Sequence, residues 1–175
     1  MKMNYRHLTT GEIAQLERQL CTASDWDRVL VSEAFTPDHV FHSRFTGDIR
    51  LGVFEGEFSL AGGMKKHAGL YRVTLHNVEV GESTVMAAQV GVAGSTKIGK
   101  YNMVGGQVGF AGHITVGDKN GIGAQTGVDN SIGSGGKWLG APVQPAMEFA
   151  RQVVYLKRIG EMYSDIKDLK KKINN

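Results

Sequence analysis

Residues 80–128 read VGESTVMAAQVGVAGSTKIGKYNMVGGQVGFAGHITVGDKNGIGAQTGV, and the predicted fold follows from the pattern in this segment. From Val80 onward every sixth residue is apolar, over nine consecutive positions. The nine are Val80, Met86, Val92, Ile98, Val104, Phe110, Val116, Ile122 and Val128. Each of the first eight is followed by glycine or alanine. A period of six sustained over this length indicates a structural repeat of the β-helix type.

The repeat favours short strands joined by tight turns. No α-helix has a period of six, and 13 of the 24 glycines lie between Val80 and Gly133, where each would cost a helix about 1 kcal/mol. Three hexads form one coil of 18 residues, so residue n stacks on residue n+18. The predicted inward columns are Val80, Ile98 and Val116; Met86, Val104 and Ile122; and Val92, Phe110 and Val128.

The segment before the repeat is less regular. Thr9 followed by Glu12 is a capping box, which predicts a helix near the N-terminus. Residues 24–35 suggest a second short helix that Pro37 ends, and irregular coils are expected from Ile49.

After the repeat, the pattern becomes helical. Pro145 suits the first turn of a helix, and a later apolar stripe lies on a basic segment and needs something to cover it. The stripe consists of Met162, Ile166, Leu169 and Ile173. The predicted organisation is an N-terminal helical or irregular cap (1–48), a β-helix (49–140) and a C-terminal helical extension (141–175).

Composition narrows the class of protein. The chain has 175 residues, a formal net charge of +3 and a single cysteine, Cys21, which excludes an internal disulfide framework. The N-terminus lacks the apolar core of a signal peptide, and no apolar run of 18 residues occurs, so a cytoplasmic protein without an integral membrane segment is expected. His39 and His42 have HxxH spacing without further ligands, so we expect no metal site.

The positive charge is concentrated at the C-terminus. Residues 151–175 carry seven Lys and Arg against three Asp and Glu, a net of +4. An acidic partner, nucleic acid or a membrane surface would each be attracted by such a segment, but a solvated helix face is the simpler interpretation. We expect no nucleic-acid partner.

The repeat, with HNVEVG at residues 76–81 and GAPVQP at residues 140–145, resembles the hexapeptide-repeat acyltransferases. Within them, residues 76–125 most resemble the UDP-3-O-(3-hydroxyacyl)glucosamine N-acyltransferases of lipid A biosynthesis. The resemblance implies a left-handed parallel β-helix, a homotrimer, and transfer of an acyl group from a phosphopantetheine thioester to the amine of a sugar or nucleotide-sugar. The residues before His76 do not resemble that family's nucleotide-binding domain; they are similar to the start of an uncharacterised group of bacterial hexapeptide-repeat proteins.

Stacking at a spacing of 18 gathers candidate site residues at one corner. His76 lies beside Gly94 and Gly112, while Asn77 lies beside Ser95 and His113. Amide formation needs a base for the amine and donors for an oxyanion, which an imidazole and an exposed glycine N–H supply. The resemblance implies His76 as catalytic base, Gly94 as oxyanion donor and His113 as a supporting histidine. Asn77, Ser95 and Gly112 are then candidates for binding substrate or donor.

Other interpretations remain open. The two histidines are also compatible with being exposed corner residues, and the chain with acylating another small acceptor or with serving as a non-catalytic β-helix scaffold or regulatory protein. For the enzyme, no tightly bound cofactor is expected. The donor would be acyl-acyl carrier protein, met by the basic tail, or acyl-CoA.

Overall fold

The computed structural model describes residues 4–59 and 65–173. The remaining parts of the three predicted ranges, at residues 1–3, 60–64 and 174–175, lie outside the described residues. The N-terminal part contains β1 (Tyr5–His7), α1 (Thr10–Arg18), β2 (Thr22–Ala23), β3 (Val29–Ser32), β4 (Val40–Phe41), β5 (Arg44–Leu51), β6 (Glu57–Ser59) and β7 (Lys65–His67).

The regular part consists of short strands, most of two or three residues. They are β8 (Gly69–Tyr71), β9 (Val73–Val80), β10 (Val85–Met86), β11 (Val90–Val92), β12 (Thr96–Ile98), β13 (Met103–Val104), β14 (Gly109–Phe110), β15 (Thr115–Val116), β16 (Gly121–Ile122) and β17 (Gly127–Val128). The chain then forms β18 (Lys137–Leu139), β19 (Gln144–Pro145), α2 (Ala146–Lys157) and α3 (Ile159–Ile173).

The regular strands form three faces, and their registers confirm all three predicted columns. Val80 pairs with Ile98 and Ile98 with Val116 on the second face. Equivalent parallel pairs link Met86, Val104 and Ile122 on the third face, and Val92, Phe110 and Val128 on the first. All nine side chains are buried. The predicted mainly β fold with a parallel β-helix and flanking helices is confirmed.

Corners between faces are made by residues with positive φ, mostly not glycine. The corner between the first and second faces is formed by Asn77 (φ 51°), Ser95 (φ 60°) and His113 (φ 62°). The left-handed conformation reverses the chain within one residue, and polar residues tolerate it best. Since each turn repeats the same backbone geometry, corner residues of successive coils lie directly above one another.

A second inward row, which the hexad pattern did not reveal, lies two residues before each column position. It mixes apolar residues with Thr84, Thr96, Asn102, Asn120 and Thr126, all nearly inaccessible. These polar groups are hydrogen-bonded: the side chain of Asn102 accepts from the Asn120 N–H (2.8 Å) and donates to the Gly117 carbonyl (2.9 Å). Buried polar side chains at corners thus satisfy backbone groups that the short strands leave unpaired.

The N-terminal part departs from the prediction in two ways. Residues 24–35 form a 3₁₀ turn, Trp26–Arg28, followed by strand β3, so the expected second helix is wrong. Moreover, β2 and β3 pair in parallel with β5, which extends the strand stacking to residues before Ile49. Pairing with β5 gives β3 backbone hydrogen-bond partners and buries Val29 and Val31. These two gains outweigh the local helical preference of residues 24–35.

Both predicted terminal helical regions are present. The capping box at Thr9 and Glu12 begins α1, and Pro145 immediately precedes α2. Neither α2 nor α3 contains a buried residue. The predicted stripe on α3 is 47–80% exposed. In the part of the chain that the structure describes, no helix is long and apolar enough to cross a membrane.

Candidate functional site

The corner between the first and second faces collects the predicted residues. Strand β9 passes through it, so His76 ends the first-face segment and Asn77 turns the chain. One coil later Gly94 and Ser95 occupy the same place, and the His113 N–H of the next coil donates to the Gly94 carbonyl (2.9 Å). The predicted proximity of these residues is therefore present, although Leu75 pairs with Val92 at a spacing of 17 rather than 18 just before the corner. Their chemical roles stay predictions.

A directional chain of hydrogen bonds orients His76. The Asp48 N–H donates to Asn77 Oδ1 (2.8 Å), which turns the Asn77 Nδ2 toward His76 Nε2 (3.2 Å). On the other side of the ring, Nδ1 lies 3.0 Å from Thr46 Oγ1, whose hydroxyl donates to the Leu75 carbonyl (3.2 Å). An amide nitrogen only donates, so Nε2 must accept and Nδ1 must carry the proton. The network thus favours the tautomer that carries its proton on Nδ1 and its lone pair on Nε2.

Gly94 lies directly beside this ring. A Cβ added there would be 3.2 Å from His76 Cδ2 and 3.8 Å from Nε2, so a side chain would crowd the imidazole. Within residues 4–59 and 65–173 the Gly94 N–H has no hydrogen-bond acceptor. A basic nitrogen and a free backbone donor therefore lie side by side on an exposed corner.

The structure separates His113 from His76. His113 is two coils away, which corresponds to about 10 Å between the backbones at the usual strand spacing. Its exposed ring and Gly112 border the same corner without contacting the His76 ring network. His76, Asn77 and Gly94 are brought together, and the Ser95–His113 end of the corner extends the surface beside them.

Sequence reasoning missed Thr46, Asp48 and the charged groove beyond the corner. The groove has a volume of about 370 Å³ and is lined by Asn77, Ser95 and the charged residues Arg28, Asp48, Arg50, Glu79 and Lys97. A hydrogen bond from Arg28 lowers the pKa of Asp48. Glu79 and Lys97 each directly precede an inward column residue, Val80 and Ile98, and therefore point outward. This regular position is the sequence signal from which the charged groove could have been predicted.

The other histidines have a different arrangement. His39 stacks on His67, with ring centroids 3.5 Å apart, rather than approaching His42. Burial, followed by the neighbouring His67, lowers the pKa of His39. Among the described residues, no group of three or more His, Cys, Asp or Glu side chains is placed to hold a metal ion.

The chain is a hexapeptide-repeat β-helix protein, and one corner of its β-helix carries a histidine that is held by hydrogen bonds. Residues 5–172 match the family described as a domain of unknown function, DUF4954, and the chain belongs to that family.

Curated relatives match part of the chain. It is 56% identical over 100 residues to the UDP-3-O-acylglucosamine N-acyltransferase of Christiangramia forsetii, covering 57% of this chain and 29% of the relative. The enzyme of the same name from Desulfotalea psychrophila is 53% identical over 98 residues, covering 56% and 28%. The chain thus spans less than a third of the length of these relatives.

Solved structures show weaker similarity. The acetyltransferase domain of PglB from Neisseria gonorrhoeae is 16% identical, with a TM-score of 0.42 over 67% of this chain and 57% of that chain. A maltose O-acetyltransferase from Clostridium difficile is also 16% identical, with a TM-score of 0.31 over 71% and 61%.

Proposed function

We propose that the protein is an acyltransferase that moves an acyl group from a phosphopantetheine thioester to the amine of a sugar or nucleotide-sugar. The observation that carries the proposal is that Gly94, whose N–H has no acceptor among the described residues, lies beside the His76 ring. The relatives that match over about half the chain, named UDP-3-O-acylglucosamine N-acyltransferase, support this class of reaction.

In this mechanism the acceptor amine replaces the Asn77 amide as the hydrogen-bond donor to His76 Nε2. The amine nitrogen attacks the thioester carbonyl, and the new C–N bond gives a tetrahedral intermediate whose oxyanion accepts from the Gly94 N–H. His76 takes the proton from the nitrogen. The C–S bond then breaks, the amide forms, and the proton passes from His76 to the departing thiolate.

The donor and the assembly belong to the same proposal. An acyl carrier protein is acidic in character, and the net charge of +4 over residues 151–175 would favour its encounter. A homotrimer would bring a neighbouring subunit against the exposed corner. A different small acceptor is the second candidate, because the residues before His76 do not resemble the nucleotide-binding domain of the N-acyltransferases.

The test replaces His76 with alanine. Loss of the base should lower the turnover rate by about 10² to 10⁴ while the corner, being exposed, leaves the fold intact. Products are measured by mass spectrometry with acyl-acyl carrier protein and acyl-CoA as donors and a panel of amino sugars as acceptors. The matched control is His7→Ala, an exposed histidine on β1. A folded His76→Ala protein with full activity would contradict the proposal.

A further inference from the structure

A row of outward-facing charged residues crosses the second face next to the corner. Arg50 pairs with Glu79 on β9, and Glu79 pairs with Lys97 on β12. Their neighbours along each strand, such as Ile49 and Leu51, are buried, so alternation directs the charged side chains outward. The row therefore forms one wall of the groove that ends at Asn77 and Ser95.

The cations of this groove are incompletely paired. Arg28 Nε donates to Asp48 Oδ1 (2.9 Å), but Arg50 Nη1 lies 3.9 Å from Glu79 Oε2, beyond hydrogen-bond distance. The other oxygen of Glu79 accepts from the Tyr5 hydroxyl (3.2 Å). Lys97 has no ion pair with any residue of 4–59 or 65–173.

Three cations against two carboxylates give the lining of the groove one net positive charge. Arg50 lies over the Tyr5 ring, 5.8 Å from its centroid, and neither Arg50 nor Lys97 donates a side-chain hydrogen bond to another described residue. A second depression of about 830 Å³ shares Arg50, Glu79 and Lys97 and continues the groove along the second face. The combined space exceeds that of a small ion and suits a ligand that is anionic near the corner.

The distance to the corner fits one bifunctional substrate. Lys97 follows Ser95 by two residues, and Glu79 follows Asn77 by two, which is about 7 Å along an extended strand. His76 and Gly94 lie one residue further from the charged row, at most about 10 Å from Glu79 and Lys97 along the strand, so a phosphate beside Arg50 and Lys97 would be within reach of an amine or thioester at the corner on the same flexible molecule.

We propose that the groove lined by Arg28, Arg50 and Lys97 is a phosphate-binding subsite for a substrate of the acyl-transfer corner. The proposal rests on the proposed function for the identity of that substrate. The phosphate belongs either to a phosphorylated amino sugar, as acceptor, or to the phosphopantetheine of the donor. Guanidinium and ammonium groups are the usual partners of phosphate, through charge-assisted hydrogen bonds.

The experiment measures dissociation constants by titration calorimetry at low salt, where screening is least. One pair of probes is glucosamine 1-phosphate and glucosamine; the other is 4′-phosphopantetheine and pantetheine. In at least one pair the wild-type protein should bind the phosphorylated member about 5–10-fold more tightly, as two partly exposed cations allow. The pair that shows the preference identifies the source of the phosphate.

The Arg50→Gln/Lys97→Gln double variant should lose this preference, whereas Lys119→Gln should keep it. Lys119 is an exposed corner residue of positive φ, and glutamine already occupies such positions at Gln107 and Gln125. If the double variant does not fold, Lys97→Gln alone answers the question, since its ammonium has no partner in the described part of the chain. No preference in either pair, or a preference that survives in the variants, overturns the subsite.

The acyl-transfer proposal and the phosphate-subsite proposal can be refuted independently of each other. The His76→Ala protein should keep the phosphate preference, because the titration involves no turnover. A wild-type protein that prefers phosphate but acylates no acceptor would refute the acyl transfer and leave the subsite. A protein that acylates amines without any phosphate preference would refute the subsite alone.

Discussion

At the scale of single residues, the tautomer of His76 is decided by neighbours distant in sequence. Asp48 fixes the Asn77 amide, which in turn assigns the lone pair to Nε2, and Thr46 holds Nδ1. The contacts that Thr46 and Asp48 make are not visible in the HNVEVG motif, where only the histidine and the asparagine are adjacent. The base proposed for the reaction is therefore oriented by strand β5.

Thr46→Val should test this orientation, since valine keeps the shape and removes the hydroxyl. Losing one hydrogen bond worth about 0.5–1.5 kcal/mol should lower kcat roughly 2- to 13-fold, with KM little changed. Nitrogen chemical shifts of the His76 ring should show a larger population protonated at Nε2. Thr46→Ser, which retains the hydroxyl, should restore both values. Unchanged shifts in the valine variant would show that Thr46 does not position the ring.

At the scale of structural elements, two ladders of amide side chains run along the β-helix. One is buried and includes Asn102 and Asn120; the other is exposed and connects Gln89, Gln107 and Gln125. The buried amides accept from backbone N–H groups at 2.8 Å, whereas the exposed ladder joins side-chain amides at 3.0–3.2 Å. Removing a buried partner leaves a backbone donor without water, whereas an exposed donor is solvated again.

Asn102→Ala should lower the free energy of unfolding by about 1–3 kcal/mol, because the Asn120 N–H loses its acceptor. Gln107→Asn, which interrupts the exposed ladder and suits positive φ, should change it by less than about 0.5 kcal/mol. Urea denaturation followed by circular dichroism measures both. Equal effects would mean that burial does not decide the contribution of these amides.

The start of α1 contains a pH-dependent interaction. Glu12 forms an ion pair with Arg6 (2.8 Å) and accepts from the Thr9 N–H (2.8 Å). The hydrogen bond from Arg6 is the main cause that lowers the pKa of Glu12 to about 2. Because the folded pKa is below the ordinary value, the ionised side chain stabilises the fold fully above pH 4.5 and loses this effect as the pH falls toward 2.

Glu12→Gln should therefore destabilise the protein at pH 7, and its difference from wild type should shrink between pH 4.5 and 2. Urea midpoints measured across this range test the expectation. Glu55→Gln is the control, since Glu55 is exposed and has no ion pair in residues 4–59 and 65–173. A Glu12→Gln difference that stays constant with pH would contradict the assigned interaction.

At the scale of the whole molecule, helix α3 is not covered by any other part of the chain that the structure describes. The apolar residues Ile159, Met162, Ile166, Leu169 and Ile173 recur at alternating spacings of three and four on α3 and are all exposed. Such spacing forms the seam of a coiled coil, and packing of three copies would bury it. The proposed homotrimer follows from this face together with the resemblance of the repeat.

Wild-type protein should scatter light as a trimer at micromolar concentration. Ile166→Asp should shift it toward the monomer, because three carboxylates would meet in an apolar seam. Ser164→Asp, on the same helix outside the stripe, should leave the mass unchanged. A stable wild-type monomer would refute the trimer.

The repetitive part of this protein could be predicted from its sequence. Every hexad contains one inward apolar residue and one tight corner, and both are local features of the sequence. The three columns and the stacking of Asn77, Ser95 and His113 could therefore be predicted from spacing alone. The capping box of α1 and the stripe of α3 are equally local. The second inward row could not be predicted from the hexad pattern, because its threonine and asparagine side chains are polar and are buried through hydrogen bonds.

The residues that surround the corner, by contrast, depend on how distant strands pair in the tertiary structure. Phe45 pairs with Leu75 across 30 residues, whereas Leu75 pairs with Val92 across 17, so no fixed period leads from the repeat to β5. A register shift between Thr46 and Ile49 then directs Thr46 and Asp48 to the corner and Arg50 to the groove. Strand pairing satisfies backbone hydrogen bonds and core burial over the whole sheet at once, and this requirement is not encoded in any local pattern.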